Sequence, residues 1–175
     1  GRMLALAAAN MGYRIHIFAP EAELPAGDVA AQVTRAAFDD FAALDRFAAQ
    51  IDVATFEWEN IEVASVRHLA TQVAVLPGAA ALEIAQDRLS EKNFVRELGG
   101  ATAPFAQIDN PVDLRIALDA LGTPALLKTR RMGYDGKGQV RIERDGDADA
   151  AWAAVGGQPS ILEGLGSFSG EFSVL

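Results

Sequence analysis

Lys128-Thr-Arg-Arg-Met-Gly133-Tyr-Asp-Gly136-Lys-Gly138-Gln139 joins two strand-like runs, Ala125 to Lys128 and Gln139 to Glu143. A lysine closes the first run, and three glycines and several cations follow within one loop. Glycines let a backbone approach a ligand closely and turn its N–H groups inward, and the cations complement phosphate. A loop of this make-up between two strands reads as a flap over nucleotide phosphates. A Walker A loop would carry Gly-Lys-Ser/Thr and open a helix, and a dinucleotide fingerprint would also lead into one. Here a strand follows. The glycines alone fit a surface hairpin equally well; Lys128, at the end of an apolar strand, tips the reading towards phosphate.

The elements around this hairpin make an antiparallel sheet with helices on one side, an α+β layer. Asp87 caps a helix whose Val95 and Leu98 face inward and which ends at Gly99-Gly100. Asn110 caps the next, with Pro111 at its first position, where a missing N–H costs nothing. Leu114, Ala117, Leu118 and Leu121 then share one helical face, and Gly122 stops it. Asp147 to Val155 is a further helix, packed onto the sheet by Trp152. Ile161 to Leu165 and Glu171 to Leu175 are two more strands.

The first half has a different texture. Met3 to Met11 is a helix stopped by Gly12, and Tyr13 to Phe18 a strand. Phe38 to Ile51 is a helix capped by Asp39 or Asp40. Val53 to Phe56 is a strand, Val63, Val66 and Leu69 mark a helix, and Val73 to Leu76 is a strand ending at Pro77-Gly78. Strands alternating with helices predict an α/β fold, a parallel sheet flanked by helices. The texture changes between residues 85 and 105, and the two regions are drawn as 1–95 and 96–175.

Composition narrows the function. Half of the 175 residues are apolar and 22% are charged, a balance that buries a core. A net charge of −9 argues against nucleic acid and against an anionic membrane surface as partners. The absence of cysteine excludes disulfides, thiolate metal sites and a cysteine nucleophile. Met3 to Ala9 is too short to cross a bilayer. Arg2 with that stretch mimics a signal peptide, but no convincing cleavage site follows, so a cytoplasmic protein is expected. The chain opens on a helix and closes on a strand, and reads as trimmed at both ends.

Three other segments offer chemistry. Ile161-Leu-Glu163-Gly164-Leu165, with Glu171 behind it, could present a backbone edge to adenine and a carboxylate to ribose. Taken alone it is an ordinary amphipathic strand with solvated acids. Gln86-Asp-Arg-Leu-Ser-Glu-Lys92 alone is a charged helix start. Thr55-Phe-Glu57-Trp-Glu59-Asn60 follows a predicted parallel strand, the end where open α/β sheets bind ligands, although acids such as Glu59 and Glu62 also suit a helix N-terminus. His16 and His68 lack companions for a metal site. Asp145, Asp147 and Asp149 lack the later glutamate of a calcium loop and read as a turn and a helix cap.

Taken together, Gly1-Arg-Met-Leu4, Phe56-Glu-Trp-Glu-Asn60, Gln86 to Lys92, Lys128 to Gln139 and Leu162-Glu163-Gly164 with Gly170-Glu171 resemble the N5-carboxyaminoimidazole ribonucleotide synthetases. These lie in the biotin-carboxylase-like branch of the ATP-grasp superfamily. The resemblance implies a Rossmann-like pre-ATP-grasp domain followed by a small ATP-grasp lid subdomain. It implies ATP-dependent carboxylation of 5-aminoimidazole ribonucleotide with bicarbonate, through carboxyphosphate, by a magnesium-dependent homodimer. It assigns Arg88 and Lys128 to the ATP phosphates, and Gly133, Tyr134, Asp135, Gly136, Lys137, Gly138 and Gln139 to the flap. Glu163, Gly164, Leu165 and Gly166 would hold adenine, and Glu171 the ribose. Glu57 would contact the aminoimidazole ribonucleotide; Tyr134 and Asp135 would face that substrate or bicarbonate and, with Lys128, act in catalysis.

The same resemblance places the family's first strand and a Gly-Gly-Gly-Gln-Leu turn before Gly1. It places the magnesium carboxylates, with the rest of the ATP-grasp domain, after Leu175. The 175 residues alone are therefore expected not to catalyse. Two rivals share parts of the pattern. One is a formate-dependent glycinamide ribonucleotide transformylase. The other is a non-catalytic assembly fragment whose Glu171–Leu175 edge another chain would cover.

Overall fold

The computed structural model describes residues 1–133, 136–165 and 170. The chain divides into two compact units, Gly1–Glu83 and Ile84–Leu175.

The first unit runs α1 (Arg2–Asn10), β1 (His16–Ala19), a 3-10 turn (Gly27–Val29), β2 (Gln32–Arg35), α2 (Phe41–Ala48), β3 (Val53–Ala54), α3 (Val63–Leu69) and β4 (Ala74–Val75), with α4 (Ala79–Ala85) at its end. The expected parallel pairing is present as two ladders: His16 stands opposite Gln32 in β1–β2, and Val53 opposite Ala74 in β3–β4. β1 starts three residues later than the β-rich run suggested, because Tyr13 finishes α1. Its N–H donates to Ala8 O at 3.0 Å and that of Gly12 to Ala9 O at 2.9 Å, with Gly12 at φ 89°. This is the Schellman closure, which consumes the carbonyls of the last turn and needs a left-handed residue. Of the two possible caps of α2, Asp40 is the one used, accepting from Ala43 N at 2.9 Å. Phe47, Ala48, Ala54, Val66, Leu69, Val75 and Leu82 form the core, with Phe18 of β1 against it.

Both histidines are structural. His16 Nε2 meets Thr34 Oγ1 at 2.8 Å and its ring stands edge-on to Phe47; burial lowers its pKa. His68 Nε2 lies 2.6 Å from Asp45 Oδ1, which also accepts from Gln72. The hydrogen bond from His68, then that from Gln72, holds the Asp45 carboxyl below its ordinary value. A depressed carboxylate stabilises the fold above its unfolded pKa and stops doing so as pH falls through the folded one. A His68→Ala variant is therefore expected to move the Asp45 titration, followed by carboxyl NMR, back up towards an ordinary aspartate. An unmoved Asp45 would refute the pairing.

The second unit contains α5 (Arg88–Glu97), β5 (Phe105–Ile108), α6 (Pro111–Leu121), β6 (Ala125–Thr129), β7 (Gln139–Ile142), a 3-10 turn (Asp145–Asp147), α7 (Ala148–Ala154) and β8 (Ser160–Gly164). The strands form one antiparallel sheet in the order β5-β8-β6-β7. Asn110 Oδ1 accepts from Val112 N and Asp113 N, so α6 begins as its cap and proline require. Ile108, Leu114, Ala117, Leu118, Ala125, Leu127, Ile142, Ala148, Ala151, Val155 and Leu162 make the core, with Trp152 against it. Side chains alternate along a strand. Leu127 and Leu162 therefore face α6 and α7, while Lys128 and Glu163 stand on the other face.

Two expectations change. Leu98 does not face inward: it is 72% exposed, and Val95 is only half-buried. The half-buried positions of α5 include the cations Arg88 and Lys92 instead. Asp147 precedes α7 as its cap residue, but its side chain makes no cap bond and lies 3.6 Å from Arg144. Asp149 pairs with Arg115 at 2.6 Å. The strand expected over Glu171–Leu175 lies outside the described residues. Among the described residues no helix is long and apolar enough to cross a membrane, and no group of three or more metal-ligating side chains occurs.

Candidate active site

Strand β6 ends at Lys128-Thr129 and β7 begins at Gln139, with Lys128 opposite Gln139 in the ladder. The loop between them is closed by Thr129 N–H donating to Gly138 O at 2.8 Å. Gly138 has φ 69°, and a Cβ there would stand 2.5 Å from Thr129 Oγ1. Gly136 also has φ 79°, and Met132, a residue with a side chain, sits at φ 61°. A Gly138→Ala variant thus meets both a left-handed backbone and a clash, and is expected to lose about 1–3 kcal/mol in urea unfolding. Gly78, with open space around it, is the matched control; equal effects at both would sink this account.

Helix α5 is tied to the start of that loop at three points. Asp87 is 4% exposed. It accepts from Leu89 N and Ser90 N at the helix start and takes Arg130 Nε at 3.0 Å and NH2 at 2.7 Å. Arg131 Nε stands 3.5 Å away. The N–H of Arg88 donates to Arg130 O at 3.0 Å, and the Arg88 guanidinium donates to Gly133 O at 3.2 Å. Burial opposes ionisation of Asp87, but the Arg130 guanidinium and the two N–H groups prevail and hold its carboxyl below the ordinary range. Asp87, Thr129, Arg130, Arg131, Met132, Gly138, Gln158 and Pro159 line a cleft of ≈ 690 Å³ beside the loop.

One helical turn beyond Arg88, Lys92 Nζ lies 3.3 Å from Glu163 Oε1, and Lys128 Nζ lies 3.0 Å from Glu163 Oε2. One turn further, Arg96 stacks over Phe105, its guanidinium carbon 4.1 Å from the ring centroid, with Lys92 Nζ 5.7 Å from the same ring. Phe105 is the ladder partner of Glu163. Arg88, Lys92 and Arg96 recur every four residues, so α5 lays a row of cations on the sheet face opposite the apolar core. Two lysines on one carboxylate leave the cluster with an excess positive charge, the arrangement an anionic ligand needs.

Arg88, Lys128, Gly133, Gly138 and Glu163 are thus brought together. Gly136, Lys137 and Gln139 lie exposed in the loop and at the strand start. The N–H groups of Gly164 and Leu165 are engaged, donating to Pro104 O at 2.9 Å and Pro124 O at 3.4 Å. Glu57 belongs to the first unit, exposed after β3. Tyr134, Asp135, Gly166 and Glu171 lie outside the described residues.

Residues 1–86 match the model of the ribonucleotide synthetase preATP-grasp domain, and residues 93–175 that of the ATP-grasp domain. An N5-carboxyaminoimidazole ribonucleotide synthase of Brucella melitensis is 49% identical over 177 residues, covering all of this chain and 49% of that protein. The chain belongs to the N5-carboxyaminoimidazole ribonucleotide synthase family. A solved synthetase of the family, an ADP complex, superposes with a TM-score of 0.90 at 35% identity, covering 96% of this chain and 45% of the other. The synthetase of Thermus thermophilus gives 0.87 at 42% identity, with the same coverage. The chain thus spans about half the length of the synthases it matches. The preATP-grasp and ATP-grasp matches agree with the mixed α/β architecture and with the parallel pairing in the first unit.

Sequence reading missed Lys92 and Asp87 as members of the site. Their signal was present: Asp87, Arg88 and Lys92 lie in the segment Gln86 to Lys92, and the four-residue spacing puts the last two on one helix face.

Proposed function

We propose that the full-length protein carboxylates 5-aminoimidazole ribonucleotide with bicarbonate at the expense of ATP. It would do so in the cytoplasm and as a homodimer. The observation that carries the reading is the cationic face of the second unit, where Lys128, Arg88 and the glycine-rich loop converge. ATP supplies a phosphoryl group to a bicarbonate oxygen and leaves as ADP. The substrate amine then forms the N–C bond, a proton leaves the nitrogen, and phosphate is released. Magnesium, whose carboxylate ligands the family resemblance places after Leu175, would neutralise the phosphates.

In this reading Lys128 and Arg88 bind the phosphates, and residues 133–139 cover them as a lid, with Tyr134 and Asp135 towards the acceptor. A lid matters because carboxyphosphate hydrolyses in water, and exclusion of solvent protects it. Glu163 to Gly166 would hold adenine, Glu171 the ribose and Glu57 the aminoimidazole ribonucleotide.

The test is phosphate release by the full-length protein with ATP, magnesium and bicarbonate, with and without 5-aminoimidazole ribonucleotide. A strong rise with that nucleotide is expected. Stimulation by glycinamide ribonucleotide with formate instead would replace the carboxylase by a transformylase.

A further inference from the structure

We propose that Lys92 is a positioning residue for nucleotide binding: it keeps the Glu163 carboxylate paired while Lys128 turns to the phosphates. The inference rests on the assignment of Lys128 to phosphate made above.

Glu163 is a buried acid, 9% exposed, and both of its oxygens are taken, one by each lysine. A buried carboxylate needs a cation, because desolvation without a partner is costly. Lys128 cannot hold Glu163 and a phosphate at full strength together, so ligand binding means an exchange of partners. With Lys92 in place that exchange leaves Glu163 paired. Without it, Lys128 would have to strand the acid or stay where it is.

The geometry fits a cation that stays. Lys92 projects from the middle of α5, its side chain 19% exposed, over the Phe105 ring that stands opposite Glu163 in the sheet. Lys128 is the second-last residue of β6, next to the glycine loop, and is the one placed to move towards a ligand under that loop. Glu163 then retains its place, and with it the backbone of β8 that follows into Gly164.

The experiment measures ATP affinity by titration calorimetry, together with the ATP KM and kcat of phosphate release, on the full-length protein. Lys92→Met is expected to raise the Kd and KM for ATP about 30-fold or more, the lower end of the cost of stranding one member of a buried charge pair. At saturating ATP the exchange has already occurred, so kcat should change by less than about threefold. Lys92→Arg should restore most of the affinity. In a Glu163→Gln background, where no charge needs holding, Lys92→Met should add little further loss. Lys92→Gln serves the same purpose should the methionine variant not fold. An unchanged Kd, a fall in kcat with KM constant, or an equal loss in the Glu163→Gln background would overturn the role of Lys92 alone. A wild-type protein that binds no ATP would overturn the functional reading and this inference with it.

Discussion

Replacing Lys128 by alanine in the full-length protein is expected to lower kcat/KM for ATP by about two to three orders of magnitude, the usual cost of removing one preorganised charge-stabilising group. The expectation follows from position. Lys128 lies one residue before the end of β6, on the face away from the apolar core, and its ammonium is held at 3.0 Å by Glu163. The variant should fold, because Glu163 keeps Lys92 as a partner and the buried neighbours Ala125 and Leu127 are untouched. Lys128→Met, which keeps the length of the chain without its charge, should fail to the same degree. Lys128→Arg should recover only part of the activity, because a planar fork does not replace a point charge. Near-normal turnover by Lys128→Ala with a native urea midpoint would remove this residue from the phosphate site.

The largest effect on stability is expected at Asp87. Its carboxylate caps α5, grips Arg130 with both oxygens and is almost fully buried. Asp87→Ala removes the cap and leaves Arg130 with only Asp109, 4.0 Å away, and should cost about 3 kcal/mol in urea unfolding of the second unit. Asp87→Asn keeps a capping oxygen and should cost less. The pH dependence follows from the depressed carboxyl. The unfolded chain binds the proton at an ordinary aspartate value near about 4, so the stabilisation is complete above that value. It is lost as pH falls through the lower, folded one. The Asp87→Asn protein should therefore lose less stability than the wild type between neutral pH and the acid range. A parallel decline would mean that the ion pair contributes little. Because Asp87 also fixes where Arg88 leaves the helix, nucleotide affinity should fall with stability in Asp87→Ala.

What the sequence disclosed is what is local. The hairpin β6–β7, the cap of α5, the Asn110-Pro111 start and Gly122 stop of α6 are each written within a dozen residues, and each lies where expected. Strands β2 and β5 were not legible. Gln32-Val-Thr-Arg35 has polar ends and becomes a strand only by pairing with β1. Among the described residues, Phe105-Ala-Gln-Ile108 pairs only with β8, more than fifty residues later in the chain. Leu98 misled because its helix turns the half-buried cations Arg88 and Lys92 to the sheet, where an ordinary amphipathic helix turns leucine. At the site, the glycine loop and Lys128 could be read, but the partner of Lys128 could not. Glu163 lies 35 residues away and meets it only because β8 inserts beside β6.

That insertion bears on how the protein is made. The hairpin β6–β7 can close as soon as it leaves the ribosome, since its contacts are near in sequence. Strand β5 emerges earlier, yet its place in the sheet is held open until Ser160–Gly164 arrive and slide between it and β6. A nascent chain halted short of that point leaves β5 and β6 without the strand that joins them and the core without Leu162, the kind of species that chaperones are positioned to meet.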